Sequence, residues 1–260
     1  LNLCLYKGIT LITMPRFDLE QFLKLMQDYR ITRANLVPPI ILALAKHPIV
    51  SQYDLSHLRI IMSGAAPLSA ELAQEASQRL GCIVMQGYGL TETSPVTHVN
   101  PEDPAKIKLG SVGPPIANTE CMVVDLNTGN PKGVREEGEI WIRGPQVMKG
   151  YLNAPEATAF TLTPEGWLRT GDVGYVDEDG YFYIVDRVKE MIKYKGLQIA
   201  PAELEAVLLT DPAVADAAVI PSPDPEAGEV PKAFVVLKPD IPTTAEDLME
   251  YVAERVAPFK

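Results

Sequence analysis

Residues Gly87-Tyr88-Gly89-Leu90-Thr91-Glu92 have the composition of a phosphate-binding turn. The apolar run Cys82 to Met85 leads into them and predicts a buried strand. Glycines let the backbone approach a ligand closely, the threonine hydroxyl can donate to phosphate, and the glutamate carboxylate can hold Mg²⁺. The hexapeptide therefore indicates a site for a nucleotide phosphate. A tight turn after a core strand would use the same glycines, so that interpretation stays open.

Two further polar segments could act on a nucleotide. Asp172 follows Gly171, and its carboxylate could accept both ribose hydroxyls, although Asp beside Gly is also ordinary turn chemistry. Lys189, Lys193 and Lys195 form a basic patch in an otherwise acidic chain. Composition alone favours a solvated face for such a patch.

Composition bounds the class of protein. The chain has 260 residues, 47% of them hydrophobic, which is enough for one large domain or two unequal ones. A net charge of −11 argues against a nucleic-acid partner. No apolar run reaches the roughly 18 residues that span a bilayer, so we expect no membrane span. Three widely separated cysteines predict reduced thiols and a cytoplasmic location.

Helices and strands alternate through the first hundred residues. Asp18 is predicted to cap a helix that buries Phe22, Leu25, Met26 and Tyr29 at helical spacing. Further strands are predicted at 33–37, 59–62 and 82–85, with helices at 40–46 and 69–80. This α/β rhythm predicts part of a large parallel sheet, with ligands at the carboxyl ends of its strands.

The pattern of helices and strands changes after Pro95. Short β-rich runs between turn residues predict a small β-barrel-like subdomain. Beyond residue 185, a helix at 201–209, strands at 217–220 and 233–237, and a last helix capped by Thr243 and Glu246 predict an incomplete α+β lid domain. We therefore expect three parts, 1–100, 101–185 and 186–260, with a hinge near 186–189.

These segments, in this order and spacing, resemble the acyl-adenylate-forming enzymes. The likeness rests on Ser63 to Leu68, Gly87 to Glu92, Gly171-Asp172 and Asp186 to Gln198, and it runs through all 260 residues. Met148 to Asn153 and Ile192 to Glu205 most resemble the 4-coumarate-CoA ligase-like branch. The resemblance implies an ATP-dependent acid-thiol ligase, which converts a carboxylic acid to an acyl-AMP and then to a thioester with coenzyme A.

The resemblance also implies roles for individual residues. Thr91 and Glu92 would contact the α-phosphate and Mg²⁺ and serve catalysis, together with Lys193. The AMP and CoA contacts would come from residues in four segments: Ala65, Gln86, Gly87, Tyr88, Thr91, Asp172, Arg187, Lys189, Lys193, Lys195, Gly196 and Gln198. The acyl pocket would be lined by Met62, Ala65, Gly87, Gly89, Pro95 and Val96.

Three family features are not found in these 260 residues. They are the Ser/Thr/Gly-rich phosphate loop, an aromatic motif before the acyl pocket, and a lysine near the carboxyl terminus. Because the sequence also opens on Leu in mid-pattern, we expect a fragment that is impaired in adenylation and able to self-associate. Two alternatives remain: a non-catalytic nucleotide-binding or interaction remnant, and an adenylation domain that loads a carrier protein.

Overall fold

The structure is a computed structural model, and it describes residues 2–239 and 241–260. The chain divides into two compact units. The first contains the described residues up to Tyr88 together with Val99–Gly110, and the second contains Gly89–His98 together with Ser111–Lys260. The three-part division expected from the sequence stays a prediction.

The first unit is an α/β structure. Its elements are α1 (Asn2–Lys7), α2 (Leu19–Asp28), β1 (Arg33–Leu36), α3 (Pro38–Lys46), β2 (Ile60–Ser63), α4 (Ala70–Leu80) and β3 (Ile83–Gly89). β1 pairs with β2, and β2 with β3, in parallel register. The predicted α/β class is confirmed, and β1 and β2 end at the level of Gln86, while β3 continues to Gly89.

Local signals set the helix ends in this unit. Asp18 accepts the Gln21 N–H at the start of α2, as predicted. Ser69 caps α4, which stops at Gly81 with a left-handed φ of 64°. The predicted stripe of α2 is partly wrong, because Tyr29 is 59% exposed and the buried residues are Leu23 and Met26. Tyr29 is the C-cap of the helix and has a non-helical backbone conformation, so its side chain does not continue the buried stripe.

The second unit begins with β-structure. Its strands are β4 (Val96–Val99), β5 (Glu120–Val124), β6 (Gly138–Arg143), β7 (Leu168–Val176), β8 (Phe182–Arg187), β9 (Ile192–Tyr194), β10 (Leu197–Ile199), β11 (Val214–Asp224) and β12 (Gly228–Leu237). β5 to β8 form an antiparallel sheet in chain order. A second antiparallel sheet has the order β10-β9-β12-β11.

The α-helices among the described residues of this unit are α5 (Pro155–Thr161), α6 (Pro201–Thr210) and α7 (Ala245–Ala253). The predicted cap of the last helix was one residue off. Thr244 and Asp247 form the capping box, not Thr243 and Glu246, because Thr244 accepts the Asp247 N–H. In the part of the chain that the structure describes, no helix is long and apolar enough to cross a bilayer.

Candidate functional site

The glycine motif lies at the end of a strand, not in a turn. β3 continues through Gly89, and the chain turns only in the 3₁₀ segment Thr91–Thr93. A Cβ at Gly89 would lie 1.8 Å from the Pro95 carbonyl oxygen. The same oxygen accepts the Leu90 N–H at 3.0 Å. Glycine is therefore required at 89 by a close approach of the chain to itself.

Thr93 holds this loop together, and the sequence interpretation missed it. Its side chain is fully buried, and its hydroxyl accepts the Leu90 N–H at 2.9 Å and lies 2.6 Å from the Pro95 carbonyl oxygen. With Thr93 turned inward, Thr91 is exposed and Glu92 half-buried. The loop thus carries a hydroxyl and a carboxylate on consecutive residues that are not fully buried, the types that a phosphate and cation site requires.

Glu92 is bound at both its main chain and its side chain. The Met148 N–H donates to its carbonyl oxygen at 2.7 Å, and the Tyr151 hydroxyl donates to Oε1 at 2.7 Å. The hydrogen bond to the carboxylate, followed by burial and repulsion by the same charge, raises the pKa of Tyr151 above its usual value. Sequence reasoning used residues 148–153 only as a family signature and did not identify Tyr151 as a site residue.

Asp172 and Arg187 form an ion pair on neighbouring strands. They lie directly opposite each other in the antiparallel register of β7 and β8, with Arg187 Nε 3.0 Å from Asp172 Oδ1. The Asp172 side chain is 8% exposed and that of Arg187 59%. The guanidinium orients a buried carboxylate at the edge of solvent, where it could accept two ribose hydroxyls.

The basic patch lies on a hairpin. Lys193 on β9 lies opposite Gln198 on β10, so both side chains share one face. The turn between them uses Lys195 and Gly196, which have positive φ values of 48° and 82°. All four residues are exposed, as is Lys189. The patch has exposed cations on a tight hairpin, which suits either a solvated surface or a site that an anionic ligand enters.

In the first unit, Gln86 connects two predicted site segments. Its side-chain amide accepts the Leu68 N–H at 2.9 Å and donates to the Leu68 carbonyl at 3.0 Å. Gln86 is therefore 5% exposed and engaged with protein on both sides of its amide. Ala65, in the segment that leads to Leu68, has a left-handed φ of 72°. A non-glycine residue in that conformation is strained by about 1 kcal/mol, as is common at ligand-binding loops.

The predicted pocket residues fall in both units. Met62, Ala65 and Gly87 belong to the first unit, where Met62 and Gly87 are half-buried and Ala65 is exposed. Gly89, Pro95 and Val96 belong to the second unit, where all three are exposed. Tyr88, the last residue of its segment of the first unit, is half-buried. Their assignment to an acyl pocket stays a prediction.

The carboxylate of Glu92 suits a magnesium ion. Within residues 2–239 and 241–260, no group of three or more His, Cys, Asp or Glu side chains could hold a metal. Mg²⁺ does not require one, because it is commonly bound by one or two carboxylates together with substrate phosphates and water. Oε1 of Glu92 carries the Tyr151 hydrogen bond, which leaves Oε2 for a cation.

Replacing Gly89 by alanine tests the close approach at this loop. The new methyl group would meet the Pro95 main chain, which cannot move aside like the end of a flexible side chain. We expect a loss of about 3 kcal/mol in the free energy of unfolding, measured by urea denaturation. Gly64→Ala is the control, since no atom lies within 4 Å of a Cβ at that position. Equal stability of the two variants would contradict this account of the loop.

Comparison with known proteins identifies the family. The model of the AMP-binding enzyme family matches residues 1–152, and that of the AMP-binding enzyme C-terminal domain matches residues 203–260. Since the first match covers more than half of the chain, the chain belongs to the AMP-binding enzyme family. The family predicted from the sequence is confirmed.

Two of the relatives that the chain matches are 4-coumarate–CoA ligases. The chain is 51% identical to 4-coumarate–CoA ligase 2 of Oryza sativa subsp. japonica over 257 residues, which are 97% of this chain and 45% of that protein. It is 50% identical to 4-coumarate–CoA ligase of Pinus taeda, with 97% and 48% covered. The chain thus spans about half the length of the curated relatives it matches.

A solved structure shows the same fold. The anthranilate CoA ligase AuaEII, in complex with anthranoyl-AMP, superposes with a TM-score of 0.88. It is 30% identical in sequence, and the match covers 97% of this chain and 49% of that one.

Proposed function

We propose that this chain is the nucleotide-binding and lid portion of an ATP-dependent acyl- or aryl-CoA ligase of the 4-coumarate-CoA ligase type. A substrate carboxylate would attack the α-phosphorus of ATP and displace pyrophosphate. The thiol sulfur of coenzyme A would then attack the carbonyl carbon of the acyl-AMP, the C–O bond to AMP would break, and the thiol proton would pass to solvent. Both steps depend on charged groups held near the reacting atoms more than on covalent catalysis by a protein side chain.

The Asp172–Arg187 ion pair is the observation that carries this proposal. A carboxylate with 8% exposure, oriented by a guanidinium 3.0 Å away, is what bidentate binding of a ribose needs. Family membership and the two 4-coumarate–CoA ligase relatives support the assignment to a CoA ligase. Arg187 would support the same ribose from the start of the hinge at 186–189.

The remaining roles follow the family. Thr91 would bind the α-phosphate, and Glu92 would hold Mg²⁺, which when bound neutralises phosphate charge. Tyr88 would pack on the adenine, and Gln86, Gly87 and Ala65 would bound its pocket. Lys189, Lys193, Lys195, Gly196 and Gln198 would act from the hairpin side, on AMP and along the pantetheine path. Met62, Ala65, Gly87, Gly89, Pro95 and Val96 would contact the acyl group.

We also propose a cytoplasmic location and self-association. The cytoplasmic location is supported by three cysteines that are all free thiols, as a reducing compartment requires.

Self-association is supported by exposed apolar side chains on one face of the β11–β12 hairpin, namely Ile220, Phe234 and Val236. Light scattering of the purified chain should report a mass above 28.4 kDa. A monodisperse monomer would contradict self-association.

The second half-reaction tests the proposed function directly. The 260-residue chain is given chemically prepared 4-coumaroyl-AMP and coenzyme A, and 4-coumaroyl-CoA is followed by chromatography. We expect formation of the thioester well above the rate without protein. No acceleration would contradict the ligase proposal. Transfer to a phosphopantetheinyl carrier protein in preference to coenzyme A would instead support an adenylation domain.

A further inference from the structure

Residues Met148 to Tyr151 hold Glu92 at two points. The Met148 N–H binds the main-chain oxygen of Glu92, and the Tyr151 phenol binds Oε1 of its side chain, each at 2.7 Å. The fold brings Tyr151 to a residue 59 positions away in sequence, and Tyr151 as a whole is 38% exposed. A carboxylate at the edge of solvent is thereby fixed in one orientation.

The main chain of Tyr151 is itself fixed by α5. Its N–H donates to Thr158 Oγ1 at 2.9 Å, and that hydroxyl donates to the Ala154 carbonyl at 2.9 Å. Gly150 has a φ of 149°, and a Cβ there would lie 2.8 Å from Thr158 Cγ2. Glycine at 150 and threonine at 158 therefore let the chain lie close enough to α5 to aim the phenol at Glu92.

We propose that Tyr151 is a positioning residue that holds Oε1 of Glu92 so that the carboxylate offers one oxygen, Oε2, to the magnesium ion of a bound nucleotide. This inference rests on the role of Glu92 in the proposed function. The terminal torsion of a glutamate is broad, so an unheld carboxylate must be ordered when the cation binds. Hydrogen-bonded partners of metal-ligating carboxylates commonly change metal affinity by tenfold or more when removed.

The same geometry bears on which cation is chosen. Ca²⁺ accepts both oxygens of a carboxylate, whereas Mg²⁺ requires near-octahedral geometry and usually takes one. A phenol on Oε1 disfavours the two-oxygen arrangement. Loss of the phenol should therefore weaken Mg²⁺ binding and move the preference of the site toward Ca²⁺, an effect that a purely structural role for Tyr151 would not produce.

Calorimetry with Tyr151→Phe tests this inference. Mg²⁺ and, separately, Ca²⁺ are titrated into the 260-residue chain in the presence of a non-hydrolysable ATP analogue. We expect Tyr151→Phe to raise the Kd for Mg²⁺ about tenfold and that for Ca²⁺ by less, while the Kd for AMP in the presence of EDTA stays within about twofold. Tyr183→Phe is the matched control, since its phenol also faces a carboxylate, that of Asp177 at 3.4 Å.

A double-mutant cycle separates the inference from the proposed function. In a Glu92→Gln background, Tyr151→Phe should have no further effect on Mg²⁺ affinity, because its partner carboxylate is gone. If Glu92→Gln weakens Mg²⁺ binding but Tyr151→Phe does not, the inference is wrong and the role of Glu92 stands. If Tyr151→Phe acts fully in the Glu92→Gln background, the inference is also wrong. If Glu92→Gln itself changes nothing, or the chain binds no analogue, both fail.

Discussion

Asp172→Ala should lower the affinity of the chain for AMP by about 100-fold. The variant removes two hydrogen bonds from ribose hydroxyls to a carboxylate, each worth about 1.5 kcal/mol, and a tenfold change corresponds to about 1.4 kcal/mol. It also leaves the Arg187 guanidinium without the partner that lies 3.0 Å away. Isothermal titration calorimetry with AMP and with a non-hydrolysable acyl-AMP mimic measures the change.

The matched control for this variant is Asp177→Ala. Asp177 and Asp172 are each 5% exposed, and both lie in the segment that contains β7 and the turn after it. Asp177 accepts main-chain N–H groups from Asp179 and Tyr181, so its loss should lower thermal stability without a matching loss of AMP affinity. Unchanged AMP affinity in Asp172→Ala would indicate an interaction module and not a nucleotide site.

Lys193→Ala should slow the thioester-forming step about 100-fold. The proposal places its ammonium group at the carbonyl of the acyl-AMP, where negative charge develops as the thiol attacks, and one such group is commonly worth two to three orders of magnitude. The main chain at Lys193 should be little changed, because its N–H donates to the Glu229 carboxylate, and alanine keeps that hydrogen bond. The rate from preformed 4-coumaroyl-AMP and coenzyme A gives the measurement.

Lys232→Ala controls for loss of one positive charge from the same sheet. Lys232 lies on β12, where its ammonium nitrogen is 5.2 Å from the centroid of the Phe234 ring. It has no part in the proposed site, so the rate should stay within about twofold. A Lys193→Ala rate equal to the rate of this control would support the interpretation of the lysines as a solvated face.

The elements that could be predicted are those with local signals. Asp18, Ser69 and Gly81 each bound a helix through contacts within four residues of chain, so their types alone predict the ends. The parallel pairing of β1, β2 and β3 follows from the alternation of helix and strand. These features need no knowledge of distant residues.

The features that escaped prediction depend on distant or close-packed partners. Tyr151 meets Glu92 across 59 residues, and nothing in either local segment specifies that contact. Gly89 is required by the Pro95 carbonyl, a constraint that composition cannot separate from a need for ligand access. Thr93 resembled its polar neighbour Thr91, yet one is buried and the other exposed. Only the folded loop distinguishes them.

The ribose contact is the centre of this account, and a crystal structure of the chain with a bound acyl-AMP mimic tests it most directly. The proposal predicts both ribose hydroxyls within hydrogen-bonding distance of the Asp172 carboxylate and the phosphate against the Thr91 hydroxyl. A mimic bound elsewhere, with no ribose hydroxyl within hydrogen-bonding distance of the Asp172 carboxylate, would contradict it.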